Sequence, residues 1–210
     1  MNIIKKNRKL FAVLILFLSN ILVFSETKTS IKWKLSLVIE DATEVKTDEL
    51  SHIINLPSGT EYSLLIESES SSECYVILEK TDKTSIILFD GHLEAGNQMY
   101  LPDENFGDDV FTVDSSTGIE KIYVIVSKFQ QTDLEKLLNK KSSKTIDKNL
   151  SDKILDEISF LKQNVSSYTE QPVKPAVTGG TTRSLQIKRI VPYTEFDGAD
   201  VYVKTIRISH

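Results

Sequence analysis

The sequence has a single cysteine, Cys74, so an intrachain disulfide and a multi-cysteine metal site are both excluded. Five prolines and eight glycines in 210 residues exclude a collagen-like chain. Apolar residues at 40% and charged residues at 26% are enough for a packed core, which excludes a disordered chain. Positive charge is in deficit: 25 Lys and Arg stand against 30 Asp and Glu, a net −5, and this argues against a nucleic-acid binder. No G-x-S-x-G elbow, P-loop or dinucleotide fingerprint occurs. The length fits one domain, or one domain with an extension.

Residues 1–25 have the three-part layout of a secretory signal peptide. Lys5, Lys6, Arg8 and Lys9 form a basic start without an acid, and an apolar run follows from Leu10 through Phe24. Ser25 is a small residue at the cut site, preceded two positions earlier by Val23. The run is about 15 residues, short of the roughly 20 that span a bilayer. Cleavage between Ser25 and Glu26 is therefore expected, with export to the periplasm or the extracellular space. An uncleaved N-terminal membrane anchor is the alternative, weakened by Ser19 and Asn20 within the run. Cleavage would remove four basic residues and no acid, leaving 21 against 30, a net −9. No lipid attachment is expected, because the cut site carries no cysteine.

From residue 26 to 128 the hydrophobic period is two. Ile31, Trp33, Leu35, Leu37 and Ile39 alternate with Lys32, Lys34 and Ser36, and Val38 breaks the pattern. Tyr62, Leu64 and Ile66 repeat it after the turn residues Pro57, Ser58 and Gly59. Alternation places one face in the core and one in water. The segments 73–80 and 84–89 are apolar on both parities, which suits strands covered on both sides. Thr81, Asp82 and Lys83 are expected to join them as a hairpin, and Asp90-Gly91 to end the second strand. Gln98–Leu101, Phe111–Asp114 and Lys121–Ser127 read as further strands. In the last, Ile122, Val124 and Val126 face one way and Tyr123 and Ile125 the other. The expected core contains Trp33, Leu35, Leu37, Tyr62, Leu64, Ile66, Tyr75, Ile77, Ile122, Val124 and Val126.

Helices are expected within 131–164. Thr132-x-x-Glu135 has capping-box spacing, followed by the stripe Leu134, Leu137 and Leu138. Asn149 or Ser151 is expected to cap a second helix with the stripe Ile154, Leu155, Ile158 and Leu161. The polar stretch 140–148 reads as solvated. Residues 165–183, with Pro172, Pro175, Gly179 and Gly180, read as a linker. The tail, 184–210, carries two apolar segments, 185–191 and 201–208, with Pro192 and an Asp197-Gly198 turn between them. Left free, Leu185, Ile187, Ile190, Val201, Val203, Ile206 and Ile208 would form an exposed hairpin. Burial is worth roughly 1.5–3 kcal/mol per side chain. The tail is therefore expected to return to the sheet, beside the strand at Trp33–Ile39. The fold class is thus mostly β: an antiparallel β-sandwich with a short two-helix excursion before the C-terminal strands. Residues 26–210 are expected to form one such domain.

Few residues suggest chemistry. His52, His92 and His210 are far apart in sequence and lack metal-ligand spacing. Asp103, Glu104, Asp108, Asp109 and Asp114 form an acidic loop that could attract calcium, but the spacing does not match an EF-hand. Glu195, Asp197 and Asp200 are a weaker version of the same signal. Cys74 lies within an apolar strand and reads as a buried small hydrophobe. Asn149 and Asn164 sit in glycosylation sequons but read as helix caps. No catalytic, cofactor-binding or metal residue is assigned, and no cofactor is expected.

The stretch 56–138 resembles a known family, the bacterial domain of unknown function 4384. The likeness rests on five segments: 57–62 (PSGTEY), 74–78 (CYVIL), 86–90 (IILFD), 93–102 (LEAGNQMYLP) and 118–127 (GIEKIYVIVS). Asp90 stands where family members usually have proline, and Asp82-Lys83 where a glycine-rich turn is usual. The resemblance implies an accessory β domain of exported bacterial proteins, without catalytic residues. The expected function is an exported, non-catalytic binding, scaffold or envelope-associated interaction module, whose contact surface includes the loop Asp103–Asp109. Its partner would be an unknown protein or envelope component, not nucleic acid, and no membrane span would remain after cleavage. The alternatives are a secreted hydrolase using an acid pair or Cys74, and a calcium or small-molecule sensor.

Overall fold

The computed structural model describes residues 30–39, 50, 52–103, 110–140, 145–164, 169–173, 193–198 and 200–210. The expected signal segment 1–25, the strand 185–191, and Glu104, Asp108 and Asp109 of the acidic loop lie outside them. The described chain is mostly β, in two sheets with two helices. The strands are β1 Ile31–Ile39, β2 Ile53–Asn55, β3 Glu61–Ser68, β4 Ser72–Glu79, β5 Ser85–Leu93, β6 Gln98–Leu101, β7 Phe111–Thr112, β8 Ile119–Ser127, β9 Thr145–Ile146, β10 Thr169–Val173, β11 Tyr193–Gly198 and β12 Val201–Ser209. The helices are α1 Thr132–Leu138 and α2 Lys148–Asn164.

The first sheet runs β10-β11-β1-β3-β6, with β7 also pairing β3, and the second runs β2-β12-β8-β4-β5-β9. The pairings are antiparallel except the short parallel contact of β2 with β12. The inward parity of each strand fills the space between the sheets: Trp33, Leu35, Leu64 and Ile66 from the first, Val76, Ile122, Val124 and Ile206 from the second. A second core lies on the outer face of the second sheet. There Tyr75, Ile77, Ile87, Ile125 and Val203 pack against Leu134 and Leu138 of α1 and Ile154 and Ile158 of α2. This accounts for the runs apolar on both parities, 73–80 and 84–89: β4 and β5, like β8, are covered on both faces. All eleven residues expected in the core are buried.

Several boundaries differ from the sequence reading. Asp90-Gly91 does not end β5, which continues to Leu93. The register slips between Val76 and Ile77, placing an extra residue on β5, and Gly91 lies beside the Phe89 ring, where a Cβ would come within 3.2 Å of Cζ. The stretch 140–148 contains β9, paired to β5 through Ser85 and Ile86, with Ile146 buried. The linker 165–183 contains β10, where Pro172 is tolerated because the strand is at the sheet edge.

The capping box does not form either. α1 is preceded by Gln131 without a side-chain cap, and Glu135 instead accepts a hydrogen bond from Tyr75 Oη at 2.6 Å. Neither Asn149 nor Ser151 caps α2. Asp147 does so, its Oδ1 accepting from Leu150 N at 3.1 Å, while Ser151 is buried against the Ser85 hydroxyl. Asn164 does serve at the other end, donating from Nδ2 to Phe160 O at 2.9 Å.

The tail returns, but to both sheets. β11 pairs with β1, Phe196 opposite Trp33, as expected for a neighbour of the N-terminal strand. β12 instead pairs along β8 in the other sheet, from Val201 opposite Ser127 to Ser209 opposite Ile119. The residues read as the Asp197-Gly198 turn are the end of β11, whose Thr194 and Phe196 point inward. Trp33 stacks on Phe196 at 4.3 Å between ring centroids and meets Tyr202 edge-on at 5.3 Å. Truncation after Arg183 deletes both strands together with Phe196, Tyr202, Ile206 and Ile208. The shortened chain should show no cooperative thermal transition by circular dichroism. A melting temperature equal to that of the full chain would show these strands to be dispensable.

Candidate functional site

Two clusters bring charged side chains together where apolar ones are the rule. The first centres on Glu79, at the end of β4 and on the same parity as Tyr75 and Ile77. Its carboxylate is almost fully buried and accepts from Lys83 Nζ at 2.8 Å, Lys121 Nζ at 3.0 Å and Tyr123 Oη at 2.7 Å. Lys83 reaches it because the hairpin turn is tight: Lys83 has φ 69°, and Asp82 Oδ1 accepts from both the backbone N–H and the hydroxyl of Thr84. Burial would raise the Glu79 pKa, but the donors from Lys83, Tyr123 and Lys121 outweigh it and hold the carboxyl below its ordinary range. A carboxylate so saturated with donors is a poor proton acceptor, and its role is to fasten β4, β8 and the hairpin.

The second cluster closes one end of the space between the sheets. Gly118 and His210 exchange backbone hydrogen bonds of 2.9 and 3.1 Å, extending the β8–β12 ladder by one pair. Glycine is required there: its φ is +150°, and a Cβ would lie 2.8 Å from Thr81 Cγ2. The pairing sets the His210 side chain, 1% exposed, between two carboxylates. Asp114 Oδ1 is 3.8 Å from Nδ1, and Glu120 Oε2 is 3.9 Å from Nε2. These are ion-pair separations, too long for hydrogen bonds, and both ring nitrogens are buried without a hydrogen-bond partner among the described residues. Asp114 is oriented by the Ser116 N–H, which donates to its Oδ1 at 2.7 Å and lowers its pKa. Burial raises the pKa of Glu120 against the opposing pull of His210, and burial together with Glu120 raises that of Tyr62.

The remaining sequence candidates do not converge. His92 pairs with Glu73 at 3.1 Å on the β4–β5 ladder, and His52 lies just before β2. Cys74 is fully buried between Gly91 and Val126 on neighbouring strands, and burial pushes its thiol pKa far above the ordinary range. Asp103 and Asp114 are described, but Asp114 is turned toward His210. Glu195 and Asp197 lie along β11, with Asp200 just beyond it. Among the described residues, no group of three or more His, Cys, Asp or Glu is placed to hold a metal ion. The His210 cluster illustrates why: its carboxylates face opposite edges of the ring and cannot share one ion. Nor is any described helix long and apolar enough to cross a membrane.

Sequence reasoning passed over Glu79, Glu120 and Gly118. A signal was present for the two acids, since each continues the apolar parity of its strand: Glu79 after Tyr75 and Ile77, Glu120 before Ile122 and Val124. The searches against known proteins add no assignment: no protein-family model, no curated protein and no solved structure matches the chain.

Replacing Glu79 with glutamine should cost about 1.5–3 kcal/mol in urea unfolding at pH 7, since Lys83, Lys121 and Tyr123 lose a charged acceptor. A carboxyl with a lowered folded-state pKa stabilises above its unfolded value and ceases to do so as pH falls through the folded one. The gap between wild type and Glu79→Gln should therefore narrow below about pH 4.5. A gap that persists undiminished at pH 3 would contradict the electrostatic role.

Proposed function

We propose that the chain is an exported, non-catalytic β domain that acts as a binding, scaffold or envelope-associated interaction module for an unknown protein or envelope component. The observation that carries this reading is the outer face of the first sheet. Both described helices pack on the second sheet, while the outward parity of the first carries polar and aromatic side chains, with Ser36 among them buried. Lys34 Nζ meets Glu67 at 2.9 Å, and Gln98 Nε2 donates to the other oxygen of Glu67 at 2.9 Å, linking β1, β3 and β6 in one row. In the next row Tyr100, 50% exposed, lies opposite Leu65. An exposed tyrosine beside fixed mixed charges has the composition of a recognition surface.

The signal-peptide pattern of residues 1–25 and the resemblance of 56–138 to domain of unknown function 4384 support the same reading. So does the chemistry of the buried groups, which are occupied in structural contacts, as at Glu79, or withdrawn from solvent, as at Cys74. A second reading, a secreted hydrolase, is favoured by one observation, the proximity of Asp114 and Glu120 to His210.

The test combines two measurements in cells that produce the chain. Mass spectrometry of the exported protein should find Glu26 as its first residue. A photoreactive residue at position 100 should give a discrete cross-linked adduct with an envelope component. Retention of Met1 on a membrane-bound product would favour the anchor. An exported protein that gives no adduct at position 100 and hydrolyses an ester or peptide substrate, with the activity lost in His210→Gln, would replace the module with the hydrolase.

A further inference from the structure

We infer that His210, Asp114 and Glu120 form a proton-operated clasp, in which one shared proton closes the end of the sandwich and its loss loosens the end of β12 from the turn at Gly118. The inference rests on the geometry of donors and acceptors. A neutral imidazole carries one N–H and one lone pair. Here both nitrogens face carboxylate oxygens, Nδ1 toward Asp114 at 3.8 Å and Nε2 toward Glu120 at 3.9 Å, and the ring is 1% exposed. With both acids ionised, either tautomer turns one lone pair toward a negative oxygen, with no hydrogen-bonding partner among the described residues to relieve it.

One added proton removes the mismatch in either of two places. On the ring it gives an N–H at each edge, one for each carboxylate. On Glu120 it gives an O–H that can donate to Nε2 while Nδ1–H faces Asp114. The proton belongs to the cluster rather than to one side chain. Both arrangements draw the side chains from ion-pair separation toward hydrogen-bond contact.

The surrounding charges leave this logic intact. Tyr62, from β3, faces Glu120 and stays neutral, because burial raises its pKa. Lys80, at the end of β4, and Asp82, in the hairpin turn, act on Glu120 with opposite signs. Asp114 is held ionised by the Ser116 N–H. Glu120 is the group whose folded-state pKa is raised, by burial. Such a group stabilises below its unfolded pKa, and that stabilisation is lost as pH rises through the folded value. The clasp is thus shut on the acidic side and opens on the alkaline side.

The mechanical consequence falls on one ladder pair. His210 and Gly118 hold each other by two backbone hydrogen bonds at the end of β8 and β12. Gly118 in turn lies against Thr81 of the hairpin. Loosening the ring therefore frees the last pair of the β8–β12 ladder and its contact with the β4–β5 turn.

The test uses the full chain and two variants. Glu120→Gln replaces the carboxyl with a neutral amide that can donate to Nε2, so it keeps the clasp shut without a proton. His210→Gln removes the ring. Thermal unfolding is followed from about pH 5 to about pH 8. The wild-type melting temperature should fall, relative to Glu120→Gln, by about 2–4 °C across this range. His210→Gln leaves Glu120 buried and should keep a fall with pH, so Glu120→Gln is the variant that decides. Hydrogen exchange at the Gly118 and His210 backbone amides should quicken in the wild type relative to Glu120→Gln toward the alkaline end. A difference between wild type and Glu120→Gln that is constant with pH, or equal exchange at these two amides in both proteins, overturns the clasp.

Discussion

The contact on which the rest of the structure depends is the meeting of Trp33, Phe196 and Tyr202. Trp33 comes from β1 and Phe196 from β11, so the stacked pair joins the first described strand to the C-terminal hairpin within one sheet. Tyr202 comes from β12 in the other sheet and meets both rings, at 5.3 and 4.9 Å. Three rings thus connect both sheets and both ends of the described chain. Each is essentially removed from water, and truncating a buried ring of this size costs about 3–5 kcal/mol. Lys204 adds its ammonium over Phe196 at 5.6 Å, so the cluster also anchors the one inward-facing charge of β12.

The arrangement of layers follows from where apolar residues fall on the strands. The first sheet has one apolar parity and needs one cover. The second has two, and without α1 and α2 the side chains of Tyr75, Ile77, Ile125 and Val203 would be exposed. α1, with seven residues, is too short to hold by its own propensity and depends on the sheet. Specific polar contacts fix where both helices sit. Tyr75 Oη donates to Glu135 and accepts from Gln131 N, and the Ser85 and Ser151 hydroxyls meet beneath α2.

The fold was legible where periodicity was strong. Alternation in β1, β3 and β8, and the doubly apolar runs of β4 and β5, are direct consequences of strand geometry, and these residues lie where the pattern puts them. Legibility failed where a local signal competed with a distant partner. Asp90-Gly91 and Asp197-Gly198 have turn chemistry, yet lie within strands because a neighbouring ladder holds them. Thr132-x-x-Glu135 has capping spacing, but Tyr75 offers Glu135 a stronger donor from the sheet. Pro172 marked a linker, yet an edge strand tolerates proline. The polar clusters were the least visible. Glu79 and Glu120 interrupt apolar parities, a sign that could have been read, but their partners at Lys121, Tyr123, Asp114 and His210 meet them only through the sheet topology.

The ring cluster makes the first described strand and the C-terminal strands one cooperative unit. Trp33 is the only tryptophan and is fully buried, so its fluorescence reports on that cluster alone. The most direct measurement is equilibrium unfolding in urea, followed by Trp33 emission and by far-ultraviolet circular dichroism on the same samples. The account predicts that the red shift of Trp33 and the loss of strand signal share one midpoint, as two-state unfolding requires. A red shift that is complete at lower urea, with the strand signal retained, would contradict it.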